Sequence, residues 1–526
     1  MFLITILGIS AFFRLWQLDL IPPGLYPDVA INGNEALETL KTGNFRVFYP
    51  ENNGREGLFI WLIALSFSIF GVSIWSIKIV AAIIGILTVF GLYLLTKELF
   101  SLNNQIVKQS NSQIVIALLS SFFLATSFWH TNFSRIGFRA ILLPFILVFA
   151  FYFLFSGFRG KKFFNFILAG LFFGLGFYTY ISYRFIVVLL PLILLCWFFI
   201  YLKENQIKKF LLFTGYCLLV IVLIALPLGI YFLQNPQDFI GRAAPISIFV
   251  AENPTKEFGK SLILHLGMFN FYGDPNWRHN FAGSPMLFWP IGILFLIGLF
   301  YSFYNLSKVA KIPALHSSGI LENFVFLIFW CLIMLLPGIL TYEGIPHALR
   351  TIGLIPVVYI FVGLGAWNIY QWLNQNIKHK KLLLVGAFLF LLMTGITEFD
   401  KYFNKWGKSI EVENTFSSDY VEMGNYLNSL PEGIQKYVIV NQPGVPVPWP
   451  DGIPMPAQTI MFVESTKFGG PRSIYLLPKD LNEIKIEKET VIIPMGYDEN
   501  LFNELERRFP QGKIKKINGI SVYEIR

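Results

Sequence analysis

The run Phe185-Ile186-Val187-Val188-Leu189-Leu190-Pro191-Leu192-Ile193-Leu194-Leu195-Cys196-Trp197-Phe198-Phe199-Ile200-Tyr201 contains no charged side chain. As a helix rising about 1.5 Å per residue, it reaches most of the way across the ~30 Å hydrocarbon core of a bilayer. A surface helix of a soluble protein keeps one polar face; this one has none. Comparable runs occur at Phe2–Leu18, Ile74–Leu95, Ile114–Trp129, Ile141–Phe155, Phe163–Tyr180, Phe210–Leu233, Met286–Tyr304, Phe324–Leu340, Ile352–Trp372 and Leu382–Ile396. The sequence therefore predicts a polytopic α-helical membrane protein with about 11 transmembrane helices.

Composition agrees. The 526 residues are 55% hydrophobic and 14% charged, with 56 Phe and a mean hydropathy of +0.58. Soluble domains carry about 25% charged residues, so disorder, a coiled coil, a disulfide scaffold and a soluble enzyme are excluded. Cys196, Cys217 and Cys331 all lie inside apolar runs and form no CxxC or disulfide framework. Met1–Trp16 lacks a basic leading region and a small-residue cleavage site, and it reads as the first span. Leu58–Phe70 is apolar but short, bracketed by Gly57 and Gly71, and reads as a helix lying at the interface.

The loops set the orientation. Basic clusters fall at Lys97/Lys108, Arg159/Lys161/Lys162, Lys203/Lys208/Lys209, Lys308/Lys311 and Lys378/Lys380/Lys381. With these spans all five share one side, which the positive-inside rule makes cytoplasmic. The N-terminus is then cytoplasmic in a multi-pass plasma-membrane protein, and the odd span count puts the C-terminal region outside. Residues 1–397 hold 26 Lys+Arg against 14 Asp+Glu, whereas 398–526 hold 15 against 18. The net +9 is thus an orientation signal, and nucleic acid is not an expected partner. From residue 398 the composition changes. Tyr437–Val440, Ser473–Leu477, Thr490–Pro494 and Ser521–Ile525 read as strands, and Tyr420–Leu430 and Glu499–Phe509 as helices. The expected division is a transmembrane domain over 1–397 and a small external α/β domain over 398–526.

Chemistry is expected on the external face, in the long loops Asp19–Gly57 and Gln234–Pro285 and the shorter His130–Arg139, Ser182–Arg184 and Thr341–Arg350. The first loop contains Pro22-Pro23-Gly24-Leu25-Tyr26-Pro27-Asp28-Val29-Ala30-Ile31-Asn32-Gly33-Asn34-Glu35-Ala36 and, later, Asn52-Asn53-Gly54-Arg55-Glu56-Gly57-Leu58-Phe59. Asp28 suits either a helix N-cap or a general base near the membrane surface. Arg55 and Glu56 suit an ion pair or, for the arginine, a lipid phosphate. Arg135 and Arg139, four apart, would share a helical face with His130 nearby, as snorkelling anchors or site residues. Arg184, beside Tyr178, Tyr180 and Tyr183, suits an aromatic belt or a sugar-stacking wall. His347 and Arg350 suit a phosphate or sugar. Asp274, His279 and Asn280 suit sugar or acceptor contacts, or a purely structural loop.

These residues carry a resemblance. Pro22–Ala36, Asn52–Phe59 with the Phe70-Gly71 step, Ser134-Arg135-Ile136-Gly137-Phe138-Arg139 and His347-Ala348-Leu349-Arg350 together resemble the GT-C glycosyltransferases. Within them the likeness is to the protein O-mannosyltransferase and lipid A aminoarabinose transferase branch. It covers about residues 1–397; the tail is similar only as a small external domain. The resemblance implies transfer of a sugar from a polyprenyl-phosphate carrier to a protein, lipid or glycan acceptor on the external face. It places the base at Asp28 and a phosphate contact at Arg55, with Arg135, Arg139, Arg184, His347 and Arg350 as further donor contacts. Such enzymes often have Asp-Glu where this chain has Asp28-Val29, so Glu35 and Glu56 stand as alternatives for a second carboxylate. His130 and Tyr183 join the loop residues as acceptor or sugar contacts.

A prenyl phosphate leaves without a strong general acid. An arginine to stabilise the phosphate and a carboxylate to deprotonate the acceptor therefore suffice for an inverting displacement. No cofactor is expected and no metal, since no HExxH-type spacing occurs. The competing reading is a transporter, flippase or ligase-type protein of cell-envelope glycan assembly. Transport would place ionisable groups inside the spans, and these runs are nearly free of them.

Overall fold

The computed structural model describes residues 1–101, 112–241, 244–311, 320–517 and 519–525. Of the basic clusters, Lys108 lies outside these residues, as do the side chains of Lys308 and Lys311. Among the described residues, eight helices are long and apolar enough to cross a membrane: Ile74–Leu99, Arg139–Gly160, Ile181–Lys203, Ile207–Gln234, Trp289–Ser307, Glu322–Ile339, Ile352–Asn376 and Lys380–Trp406. The three remaining expected spans are shorter helices, Phe2–Leu15, Ser112–Thr126 and Phe163–Gly176; Leu58–Phe70 is also short. The run expected as one span over Ile114–Trp129 breaks at Ser127. Its hydroxyl accepts from the His130 amide and starts a separate helix, Phe128–Phe133.

Two compact units emerge. One comprises Met1–Trp16 with Ala81–Trp406, the other Gln17–Val80 with Gly407–Arg526. The last long helix thus runs past residue 398 to Trp406, and the first long loop shares a unit with the C-terminal region.

In the larger unit, tightly packed helices meet through small residues. A Cβ on Gly298 would lie 1.8 Å from the Phe361 carbonyl oxygen, and one on Gly365 1.9 Å from that of Leu294, so two helix backbones touch there. Ile207–Gln234 is the opposite case. Leu211, Leu212, Leu219, Val222 and Leu223 are all exposed, the apolar surface expected of a helix that faces lipid.

The smaller unit contains a five-stranded sheet ordered Ile474–Leu476, Gln435–Ile439, Thr490–Pro494, Ile520–Ile525 and Lys513–Ile517. The first three strands are parallel; the last two run antiparallel. The strand and helix runs expected in the tail are all present. Among the elements that escaped the sequence, two bear on the sheet and its packing. Lys513–Ile517 is an edge strand with Lys513 and Lys516 exposed and Lys515 paired with Glu524 on the neighbouring strand. Gln458–Phe468 is buried on several sides and shows no amphipathic stripe. That helix packs against Pro27–Thr42, where Asn34 donates to the Gln458 carbonyl and side-chain oxygens at 3.1 and 2.9 Å.

Candidate functional site

In the smaller unit, Tyr26 and Pro27 start the helix Pro27–Thr42. Proline at the first helical position loses no hydrogen bond. Asp28 sits in the first turn and caps nothing: the N-cap is Tyr26, without a side-chain bond. The N-cap reading of Asp28 is therefore set aside. Its carboxylate is half-buried at the positive end of the helix dipole, and the Asn52 side-chain amide donates to Oδ1 at 3.0 Å.

Asn52 is presented by a tight turn. Asn52, Asn53 and Gly54 have φ of 51°, 62° and 83°, joining the short antiparallel strands Phe48–Tyr49 and Arg55–Glu56. At Gly54 a side chain is also barred by space, because a Cβ would come within 2.4 Å of the Phe48 ring.

Arg55 emerges from this hairpin into the interior and is 1% exposed. Its guanidinium donates to Glu35 Oε1 at 2.6 Å, Asn32 Oδ1 at 2.9 Å and the Glu51 carbonyl at 3.3 Å. Burial pushes the Glu35 carboxyl up, while Arg55 pulls it down. Of the two alternatives for a second carboxylate, Glu35 is thus committed to Arg55, and Glu56 is buried. Lys78, hidden in a run that reads as pure span, is buried and donates to the Pro22 carbonyl at 2.8 Å.

In the larger unit, the segment 274–280 folds around Asp274. Oδ1 accepts from the Asn276 amide at 2.8 Å, and Oδ2 accepts from the Ala348 amide at 2.7 Å and lies 3.0 Å from His279 Nδ1. Asn280 is buried and donates to the Ser284 carbonyl at 2.6 Å, so it braces the loop. The His347 amide donates to His265 Nε2 at 3.1 Å. Burial, with His279 and Arg350 close by, holds the His347 imidazole well below its ordinary range and therefore neutral.

Arg350 donates to the Thr341 hydroxyl at 2.8 Å and the Glu343 carbonyl at 2.6 Å. His347 and Arg350 help line a cavity of about 310 Å³, together with Tyr180, Ser182 and Thr341. The guanidinium of Arg139 stands over the Tyr180 ring at 5.7 Å.

The other expected site residues lie elsewhere. His130 is fully buried against Arg14 at 2.7 Å. Tyr183 is fully buried, its hydroxyl donating to the Phe173 carbonyl at 2.7 Å. Arg184 lies on Phe239, 4.1 Å from its ring centre, and donates to that residue's carbonyl. Arg135 and Arg139 do not share a helical face: the turn at Gly137, φ 75°, separates them. Arg135 is fully buried under Phe403.

Sequence reasoning missed Asn52, Asn32, His265 and Thr341. Asn52 carried one signal, its place in an Asn-Asn-Gly turn.

The sequence model of the dolichyl-phosphate-mannose-protein mannosyltransferases matches residues 58–231, a stretch that begins after Asp28 and Arg55. No curated protein sequence matches the chain. Among solved structures it is similar to ArnT from Cupriavidus metallidurans bound to undecaprenyl phosphate. That match has a TM-score of 0.58 at 10% identity and covers 99% of this chain and 97% of that one. The apo state of the same protein gives 0.57 at 10% identity with the same coverage. The Archaeoglobus fulgidus oligosaccharyltransferase in complex with Zn and sulfate gives 0.50 at 13% identity, over 83% of this chain and 60% of that one. Residues 58–231 thus match the sequence model of the dolichyl-phosphate-mannose-protein mannosyltransferases, on a chain whose fold is similar to that of ArnT over nearly its whole length.

Proposed function

We propose that this protein is a membrane glycosyltransferase that moves a sugar from a polyprenyl-phosphate carrier to an acceptor hydroxyl on the external face, with inversion and with Asp28 as the base. The observation that carries the reading is Asp28 itself. It is a half-buried carboxylate in the first turn of a helix, free of any capping duty and oriented by Asn52. Such a group can take the acceptor proton as the glycosidic carbon is attacked. The carrier class is brought over from ArnT, which was solved bound to undecaprenyl phosphate.

Arg55 would act on the donor phosphate through the N–H groups left beyond its three bonds to Glu35, Asn32 and Glu51. Within the other unit, and on its own evidence, we assign headgroup binding to the cavity beside Arg350 and His347. A guanidinium there supplies fork-shaped, charge-assisted bonds to phosphate or sugar oxygens.

The test is donor consumption. Purified protein is incubated with polyprenyl-phosphate-linked hexoses or pentoses and a mixed acceptor pool, and released polyprenyl phosphate is measured by mass spectrometry. Release that depends on the protein supports the reading. Absence of release across the donor panel overturns it.

A further inference from the structure

We propose that Asp274, His279 and His347 form a zinc site that pins the second long loop to the 341–350 turn. Their ligand atoms all lie within 4.8 Å of one another. Asp274 Oδ2 is 3.0 Å from His279 Nδ1 and 3.9 Å from His347 Nδ1. Zinc bonds of about 2.0–2.2 Å at tetrahedral angles put neighbouring ligand atoms roughly 3.3 Å apart, and the two distances bracket that value. Two imidazoles and one carboxylate are a ligand set that zinc takes readily.

Hydrogen bonding joins Asp274 to only one of the two histidines. His279 reaches Oδ2 within hydrogen-bond distance, whereas His347 Nδ1 lies 3.9 Å from that oxygen. The two rings lie 4.9 Å apart, centre to centre. Asp274 and His279 are 1% and 4% exposed, so a buried carboxylate charge faces two imidazoles. The Ala348 amide on Oδ2 and the Asn276 amide on Oδ1 hold the carboxylate in place, the outer support that metal ligands usually have. The Arg350 amide lies 3.3 Å from His347 Nδ1; metal binding at that atom displaces this long contact. The nearby guanidiniums are engaged elsewhere, Arg278 with Asn276 and Arg350 with Thr341 and Glu343.

The consequence is local. Asp274 and His279 belong to one loop and His347 to another, with four residues between the first two and sixty-seven between His279 and His347. A shared ion would hold His347, and with it the wall of the 310 Å³ cavity, without taking part in bond breaking. This inference does not depend on the glycosyl-transfer reading.

The full-length protein in detergent is stripped with chelator, reloaded with zinc sulfate, desalted and assayed by inductively coupled plasma mass spectrometry. About one zinc per chain is expected. His279→Ala and His347→Ala each lower it at least five-fold, whereas a variant lacking Cys196, Cys217 and Cys331 keeps it. Should the alanine variants fail to fold, cobalt-substituted wild type decides. Tetrahedral ligand-field bands without a thiolate charge-transfer band support the site, and an octahedral aqua-ion spectrum rejects it. Zinc that is absent from reloaded wild type, or retained in both alanine variants, overturns the proposal.

Discussion

Arg14 and Arg135 exchange helix caps. Arg14, at the end of Phe2–Leu15, donates to the carbonyls of Leu124 and Ala125 at 3.4 and 2.9 Å, in the last turn of Ser112–Thr126. Arg135 follows that second helix and donates back to the carbonyls of Phe13 and Trp16 at 3.0 and 2.7 Å, where the first helix ends. Helix ends leave carbonyls without intrahelical partners, and in apolar surroundings each unmade bond costs several kcal/mol. The exchange explains how two helices of 14 and 15 residues can stop short.

Arg135→Ala removes two charge-assisted bonds and uncovers the carbonyls they satisfied. We expect a stability loss of roughly 3–5 kcal/mol, read as a lowered unfolding midpoint in detergent. Transfer activity per folded molecule should stay within about two-fold of wild type, since 1.4 kcal/mol is already a factor of ten. A normal midpoint with lost donor binding would place Arg135 in the site instead.

Glu35→Ala leaves Arg55 charged and buried without its carboxylate, so the smaller unit should lose about 3–5 kcal/mol. Glu35→Gln keeps the shape and an acceptor oxygen and should lose less. Chemical unfolding followed by Trp fluorescence separates the two. Equal losses would mean that the ion pair contributes nothing beyond its shape.

Much of this was legible in the sequence, and the exceptions are instructive. The spans are readable because a bilayer demands long runs with no polar face, as in Phe185–Tyr201. The pairing of Glu35 with Arg55 was not readable. The residues are twenty apart and meet because a three-residue left-handed turn, Asn52 to Gly54, folds the hairpin back. Tyr183 and His130 look like surface groups because they flank predicted spans, yet short helices and turns fold them into the interior. The approach of His347 to Asp274 needs two loops from distant parts of the chain, and no local spacing announces it.

Arg350→Ala should raise the donor KM, or weaken polyprenyl-phosphate binding, by about 10–100-fold, the range of one lost charge-assisted contact. Arg350→Lys should recover part of it, since a point charge lacks the fork. Binding of a fluorescent polyprenyl phosphate reads both. Unchanged affinity in the alanine variant removes Arg350 from the donor site.

His130 gives a pH dependence. Burial, together with the charge of Arg14, holds its imidazole well below the ordinary value of 6.5. The unfolded chain therefore takes up the proton first as pH falls. The stability contribution is complete above about pH 6.5 and declines below it. Between pH 7.5 and 5, the unfolding midpoint of wild type should fall more steeply than that of His130→Asn. Parallel profiles would show that His130 titrates alike in both states.

The central claim is that Asp28 takes the acceptor proton. The direct measurement is the initial rate of labelled-sugar transfer from a polyprenyl-phosphate donor at saturating concentration, comparing wild type with Asp28→Asn. Asparagine keeps the oxygen that Asn52 holds and removes the base. The account predicts a rate lower by about 10²–10⁴-fold, with donor affinity and unfolding midpoint unchanged. A rate within about three-fold of wild type, at the same affinity, would contradict it.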